Sequence, residues 1–244
     1  MAQRPRQARR ARGIADPTGR GAAARARRDK PRRQPQSGNK AGGRKRQAGA
    51  RRQAILEAAL SIFAARGYAA ARLDDVAAQA GVAKGTLYLY FKDKQALFEE
   101  LVRGAVTPIM DQVRAAALTS DIEPIQIVEM FFGLFQREVL GSDRKLLLRL
   151  MIAEGPRFPA ITAFYHREVV SRGMALMRTV AARAVARGEF SSDAAARFPQ
   201  LIVAPLLLAV IWDGLFSKIE PLDVGGLLRA HCDLLTAGAK KSTA

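Results

Sequence analysis

The run LDDVAAQAGVAKGTLYLYFKDKQAL, residues 73–97, limits what this chain can be more than any other stretch. Leu73, Val76, Ala77 and Ala80 recur at helical intervals and give a short helix one apolar face. Gly81 follows directly, and a glycine just past a helix accepts the left-handed backbone that ends it. Val82 gives the turn an apolar anchor. A second helix is expected from about Lys84 to Phe91, with Leu87 and Phe91 four apart and both turned to the core. Lys84, Thr86, Tyr88 and Lys92 are left for the outer surface, where an ammonium, a hydroxyl and a phenol suit phosphates and base edges. Two short helices across a glycine turn, with a third following at once, are the layout of a DNA-reading helix-turn-helix.

Charge is distributed unevenly around this run. Residues 1–50 hold 16 Lys and Arg against two acids, Asp16 and Asp29, whereas the remaining 194 residues hold 24 against 20. The basic excess therefore belongs to an N-terminal tail over 1–48, rich in Gly, Pro and Gln and nearly free of apolar residues other than alanine. Such a segment buries too little surface to offset its ordering entropy and is expected to be disordered. Three readings of it stay open: nonspecific DNA affinity through counterion release, a transit peptide, or the product of an upstream start codon. It has no continuous apolar stretch of the kind a secretory signal needs.

Catalysis finds little material. The single cysteine, Cys232, excludes an intrachain disulfide framework, and with only His166 and His231 beside it no metal site or cofactor is expected. No nucleophile elbow, phosphate loop or zinc signature occurs, so the chain is read as no enzyme.

Beyond Leu101 every segment reads as helix. The expected helices are 94–117, crossing Pro108; 124–140, opened by a first-turn proline; 143–154; one long helix 158–187, stopped by Gly188; 193–217; and 224–239. The apolar run from Leu201 to Phe216 is too short and too interrupted for a membrane span. A helix apolar nearly all round needs cover on more than one side, which suggests a subunit interface, with a plain intrachain core as the rival. Ala204, Ala209 and Gly214 would permit close approach there. The expected interface comprises Leu201, Ala204, Leu208, Ile211, Leu215, Leu227 and His231. Met110, Met130, Phe131, Phe135, Met151, Phe164, Tyr165, Met174, Met177 and Trp212 could line an adaptable apolar cavity, and are equally ordinary core residues. Glu154, Tyr165, His166 or Asp213 could orient a ligand inside it.

The segment DDVAAQAGVAKGTLYLYFKDKQALF closely resembles the DNA-binding domain of the TetR family of transcriptional regulators. The likeness runs from about Arg51 to Leu101 and includes Arg66-Gly67-Tyr68, Gly81-Val82, Gly85-Thr86-Leu87-Tyr88, Phe91 and Lys94. By resemblance, Lys84, Gly85, Thr86 and Tyr88 lie at the DNA surface, Lys94 binds phosphate at the start of the fourth helix, and Tyr90 adds a further phosphate contact. Hydroxyls usual in the family are replaced by Ala71-Arg72 and Ala83, which removes helix caps and makes Arg72 a candidate substitute contact. The resemblance also implies dimerisation through the last two helices.

The expected architecture is all-α: a helix-turn-helix domain at 49–97, a helical ligand-binding and dimerisation domain at 98–239, and a short flexible end at 240–244. The expected function is a cytoplasmic, nucleoid-associated homodimeric repressor. A small lipophilic effector would release it from a pseudo-palindromic operator, with the fourth helix as the lever. A nonspecific DNA binder acting through the tail is the alternative.

Overall fold

The computed structural model describes residues 38–119 and 121–238. The helices are α1 (Gly38–Ala70), α2 (Leu73–Gln79), α3 (Lys84–Tyr90), α4 (Lys94–Ala117), α5 (Pro124–Phe135), α6 (Lys145–Glu154), α7 (Pro159–Tyr165), α8 (Ser171–Ala186), α9 (Ala194–Arg197), α10 (Gln200–Leu215) and α11 (Val224–Thr236). α1 begins before residue 49, so part of the stretch expected to be disordered is helical; the rest of the basic tail lies outside the described residues, as does 240–244.

The expected helices are present, with α11 ending at Thr236, short of the expected 239, and with three further refinements. The segment 124–140 closes in a π-turn at Gln136–Leu140. The long helix is α7 and α8 joined through a π-turn at His166–Val170. Phe198-Pro199 divides 193–217 into α9 and α10, because proline offers no N–H to continue the helical ladder. Gly81 and Gly188 end their helices with φ of 65° and 78°. At the first of these, Val82 N–H donates to Ala77 O (3.0 Å) and Gly81 N–H to Ala78 O (3.2 Å), so the turn closes on its own backbone.

Two apolar cores organise the molecule. The first joins Ile55, Phe63, Val76, Leu87, Phe91, Leu97 and Phe98 to Leu147, Leu150, Met151, Ile161 and Phe164. It therefore crosses residue 97/98, where a domain boundary was expected: α6 and α7 complete the core of the helix-turn-helix. The second core lies lower along α4, from Ile109 to Ala116, and packs Ile127, Phe132, Met177, Val180, Ile202, Leu206 and Leu228. α4 belongs to both.

α10 carries two apolar stripes. Ile202, Pro205, Leu206, Ala209 and Val210 are buried in the chain's own interior, while Leu201, Leu208, Ile211 and Leu215 are exposed. Each set follows the three- and four-residue steps of a helix face. Ala209 therefore faces inward and does not serve close approach at an interface, whereas Ala204 and Gly214 are exposed.

Candidate nucleic-acid interface and its coupling to the C-terminal helices

α3 presents its outer face as the sequence implies. Leu87 and Phe91 are buried, and Lys84, Gly85, Tyr88 and Lys92 are exposed, with Thr86 half-buried. Neither α2 nor α3 has a side-chain cap: Arg72 and Ala83 occupy the cap positions and make no capping bond. Asp74 and Asp75 in the first turn of α2 offset part of that loss by facing the positive end of the helix dipole. Arg72 is exposed beside them. The Lys84 ammonium reaches back to Asp74 (2.8 Å), tying α3 to α2, and this hydrogen bond raises its pKa. Arg66 pairs with Asp75 at 2.5 Å and holds α2 to α1. Tyr90 is half-buried, packed on the first core and tilted against Phe91.

Lys94 departs from its expected role. Its ammonium donates to the carbonyls of Tyr68 (2.6 Å), Ala69 (3.0 Å) and Ala71 (3.2 Å) and lies 4.6 Å above the Tyr68 ring. An ammonium has three protons, so all are engaged within the chain. Burial lowers the Lys94 pKa, with Glu154 opposing. The reason lies in α1, which breaks at Gly67 (φ 75°, ψ 168°) and leaves carbonyls without helical partners. In this structure Lys94 is a pin at that break, with its protons engaged inside the chain.

Glu154 also moves from its expected place. Far from orienting a ligand, its carboxylate accepts the N–H groups of Tyr68 (2.9 Å) and Ala69 (3.2 Å), and a Cβ at Gly67 would collide with it. Tyr68 is the hub of this junction: its ring meets Phe63 at 5.6 Å, Phe98 at 5.6 Å and Phe158 at 4.9 Å, joining α1, α4 and the turn before α7. Asp213, the other acid expected in a cavity, accepts from Arg149 (2.5 Å) and pairs with Lys145 (2.9 Å). α6 is thus bound at one end to the reading head and along its length to α10. Sequence spacing carries no trace of either contact.

The Met and aromatic candidates divide between the cores. Met151 and Phe164 are in the first and Met177 in the second; Met130, Phe131 and Phe135 pack against the second, and Met174 is half-buried. Tyr165 packs on the first core with its phenol group buried, which pushes the pKa up to about 12. Trp212 donates its indole N–H to Glu220 O at 2.7 Å. His166 meets Ser171 Oγ at 3.3 Å on the surface. Side chains that could surround a ligand fill an interior equally well, which is why these do not share one cavity. Met110 does line a cleft of about 110 Å³ between α4 and the start of α8. Val102, Val106 and Val169 form its apolar wall, and Arg103, Arg114 and Arg172 stand around it with Asp111 and Glu168. This cleft lies where the first core ends and the second begins.

His231 and Leu227 are half-buried on α11 beside the exposed stripe of α10. Burial lowers the His231 pKa, partly offset by a hydrogen bond with the Leu201 backbone. Among the described residues no group of His, Cys, Asp or Glu is placed to hold a metal ion, and no helix is long and apolar enough to cross a membrane.

A closed glycine turn, an exposed basic and phenolic face on the following helix, and a shared core with a helical C-terminal body define a helix-turn-helix transcriptional regulator. Residues 55–101 match the family described as bacterial regulatory proteins, tetR family, and residues 128–220 match the tetracyclin repressor-like C-terminal domain. The chain belongs to the TetR family. The HTH-type transcriptional repressor BepR of Brucella suis is 28% identical over 172 residues, 68% of this chain and 79% of that protein. The fatty acid metabolism regulator protein of Bacillus subtilis is 31% identical over 98 residues, 38% of this chain and 47% of that one. Among solved structures, the fatty acid degradation regulator FadR from Bacillus halodurans superposes with a TM-score of 0.62 at 22% identity, covering 77% of this chain and 95% of that one. A tail-driven architectural role is not favoured by these relatives.

Proposed function

We propose that the chain is a homodimeric repressor that holds a pseudo-palindromic operator in the cytoplasm, at the nucleoid, and is released by a small lipophilic ligand with an anionic end. The observation that carries the reading is the outer surface of α3 and the turn after it, where Lys84, Gly85, Tyr88 and Lys92 are exposed and Thr86 is half-buried while Leu87 and Phe91 are buried. That face suits a major groove, Arg72 stands ready beside it for a phosphate, and Tyr90 supports it from the core. The exposed stripe of α10 supports the dimer, because four large apolar side chains on one helix face need a cover. Two-fold symmetry then doubles the reading head and sets the half-site spacing.

The cleft on α4 supports the effector. Its valine and methionine wall takes an apolar chain, and a carboxylate or phosphate at the mouth would draw guanidinium groups from the carboxylates they now face, Arg103 from Glu99 and Glu100 and Arg172 from Glu168. A relative named as a fatty acid metabolism regulator protein makes fatty acids and their thioesters the first class to test. A ligand that separates α4 from α8 shifts the spacing of the half-site helices only through its differential affinity for the two states. Such coupling is typically about 1–3 kcal/mol. Two routes carry it: α4, common to both cores, and α6, which runs from Asp213 to Tyr68.

Selection from a random duplex pool tests the reading. It is expected to enrich a two-fold site with half-sites about one helical turn apart, and Tyr88→Ala is expected to weaken binding to it while the dimer stays folded. Enrichment of no sequence overturns the proposal. Failure of fatty acids and their thioesters to release the selected site overturns the effector class.

A further inference from the structure

We infer that Leu89 is a specificity-determining residue that packs on the C5-methyl group of a thymine in each operator half-site. The inference rests on the DNA-reading role proposed for α3. At about 100° per residue, the direction opposite the buried pair Leu87 and Phe91 falls on Leu89. The side chain is 85% exposed, against 46% for Tyr88. Leu73 and Val82 are half-buried and Val76 and Leu87 buried, so Leu89 is the one large aliphatic group of α2 and α3 left outside.

Its neighbours specify the cover. Gly85, one turn before it on the same face, has nothing within 4 Å of where a Cβ would stand. A groove floor can therefore come close to the backbone there while Leu89 projects into it. Thr86 and Tyr88 flank it, and Lys84 and Lys92 stand at the two ends of the helix, where phosphates would run. A protein or lipid partner for one leucine ringed by cations and hydroxyls would find little apolar area. Among the base edges exposed in the major groove of unmodified DNA, the thymine methyl is the apolar group. The polar residues expected on this face account for phosphates and hydrogen-bonding edges, and none of them accounts for an outward leucine.

The test replaces thymine by uracil in the selected site, one symmetric pair of positions at a time, which removes the methyl group and leaves the pairing edge unchanged. Wild-type protein is expected to lose about fourfold in affinity per half-site at one pair of positions, the worth of one buried methyl group. Leu89→Ala is expected to start weaker and to lose nothing further at that pair, while its thermal unfolding matches wild type because the side chain is exposed. Wild-type affinity unaffected by uracil at every position overturns the inference, as does a selected site without enriched thymine. An equal uracil effect in Leu89→Ala overturns it as well. If no sequence is enriched at all, the underlying reading of α3 fails instead, and the two failures are told apart.

Discussion

The carboxylate of Glu154 accepts the backbone N–H of Tyr68 at 2.9 Å across 86 residues of chain, joining the last residue of α6 to the break in α1. The second bond, from Ala69, makes the carboxylate a bridge over an end the helix itself leaves open. Glu154→Ala strands both donors. It is expected to lower unfolding stability by about 1–3 kcal/mol and to weaken effector release more than operator affinity. Calorimetric unfolding, with operator titrations with and without ligand, reads both. An unchanged ligand response would remove α6 from the coupling route.

Gly67 adopts φ 75° and ψ 168°, a backbone region essentially reserved for glycine. Gly67→Ala adds backbone strain and places its methyl group against the Glu154 carboxylate. A loss of at least about 2 kcal/mol is expected, measured by denaturant midpoint at constant m. In a Glu154→Ala background the penalty should shrink, because the collision is gone and only the strain remains.

Lys94→Met keeps the stem over the Tyr68 ring and deletes three donated hydrogen bonds. It is expected to destabilise the fold by about 1–3 kcal/mol. Its weakened operator binding should disappear once affinities are corrected for the unfolded fraction. A Lys94→Met protein of wild-type melting temperature with lost DNA binding would restore the phosphate role.

Leu208→Glu on the outer stripe of α10 places a charge where the dimer is proposed to close, without touching the buried stripe of Ile202, Leu206 and Ala209. Light scattering is expected to report a folded monomer, and operator affinity should fall by more than about tenfold, as one head alone reads a half-site. A dimer that survives this change would relocate the interface.

Tyr165 carries a phenol pKa raised by burial from 10.0 to about 12. Its folded value lies above the unfolded one, so the contribution is complete below pH 10 and is lost as pH rises toward 12. Between pH 10 and 11 the unfolded chain releases the proton and the folded chain keeps it, a loss of about 1 kcal/mol. Cys232, raised to about 11, adds a loss of the same sign beginning near its ordinary value of 9.0. Thermal unfolding of wild type and Tyr165→Phe across this window should diverge, with the variant falling less steeply.

Residues 73–97 could be read from the sequence because their determinants are local. Helical spacing of apolar side chains, one glycine with positive φ and two short segments fix the turn and its outward face, with Leu87 and Phe91 inside as expected. The helices of the C-terminal body and the uncapped positions at Arg72 and Ala83 were legible for the same reason. Leu89 went unread because an apolar residue in a short helix carries no label for inside or outside until its neighbours are placed.

The chain by itself thus determined a reading head and an all-helical body. Only the tertiary structure decided how the two are joined. Glu154, Asp213 and Lys94 each look like a solvated charge or a ligand in sequence, and each proves to close an open helix end or an ion pair between elements far apart in the chain. Met151 and Phe164, equally fit for a cavity, fill the core that binds the head to α6 and α7. Apolar periodicity shows that a face must be buried, but what buries it is a long-range choice that packing alone makes.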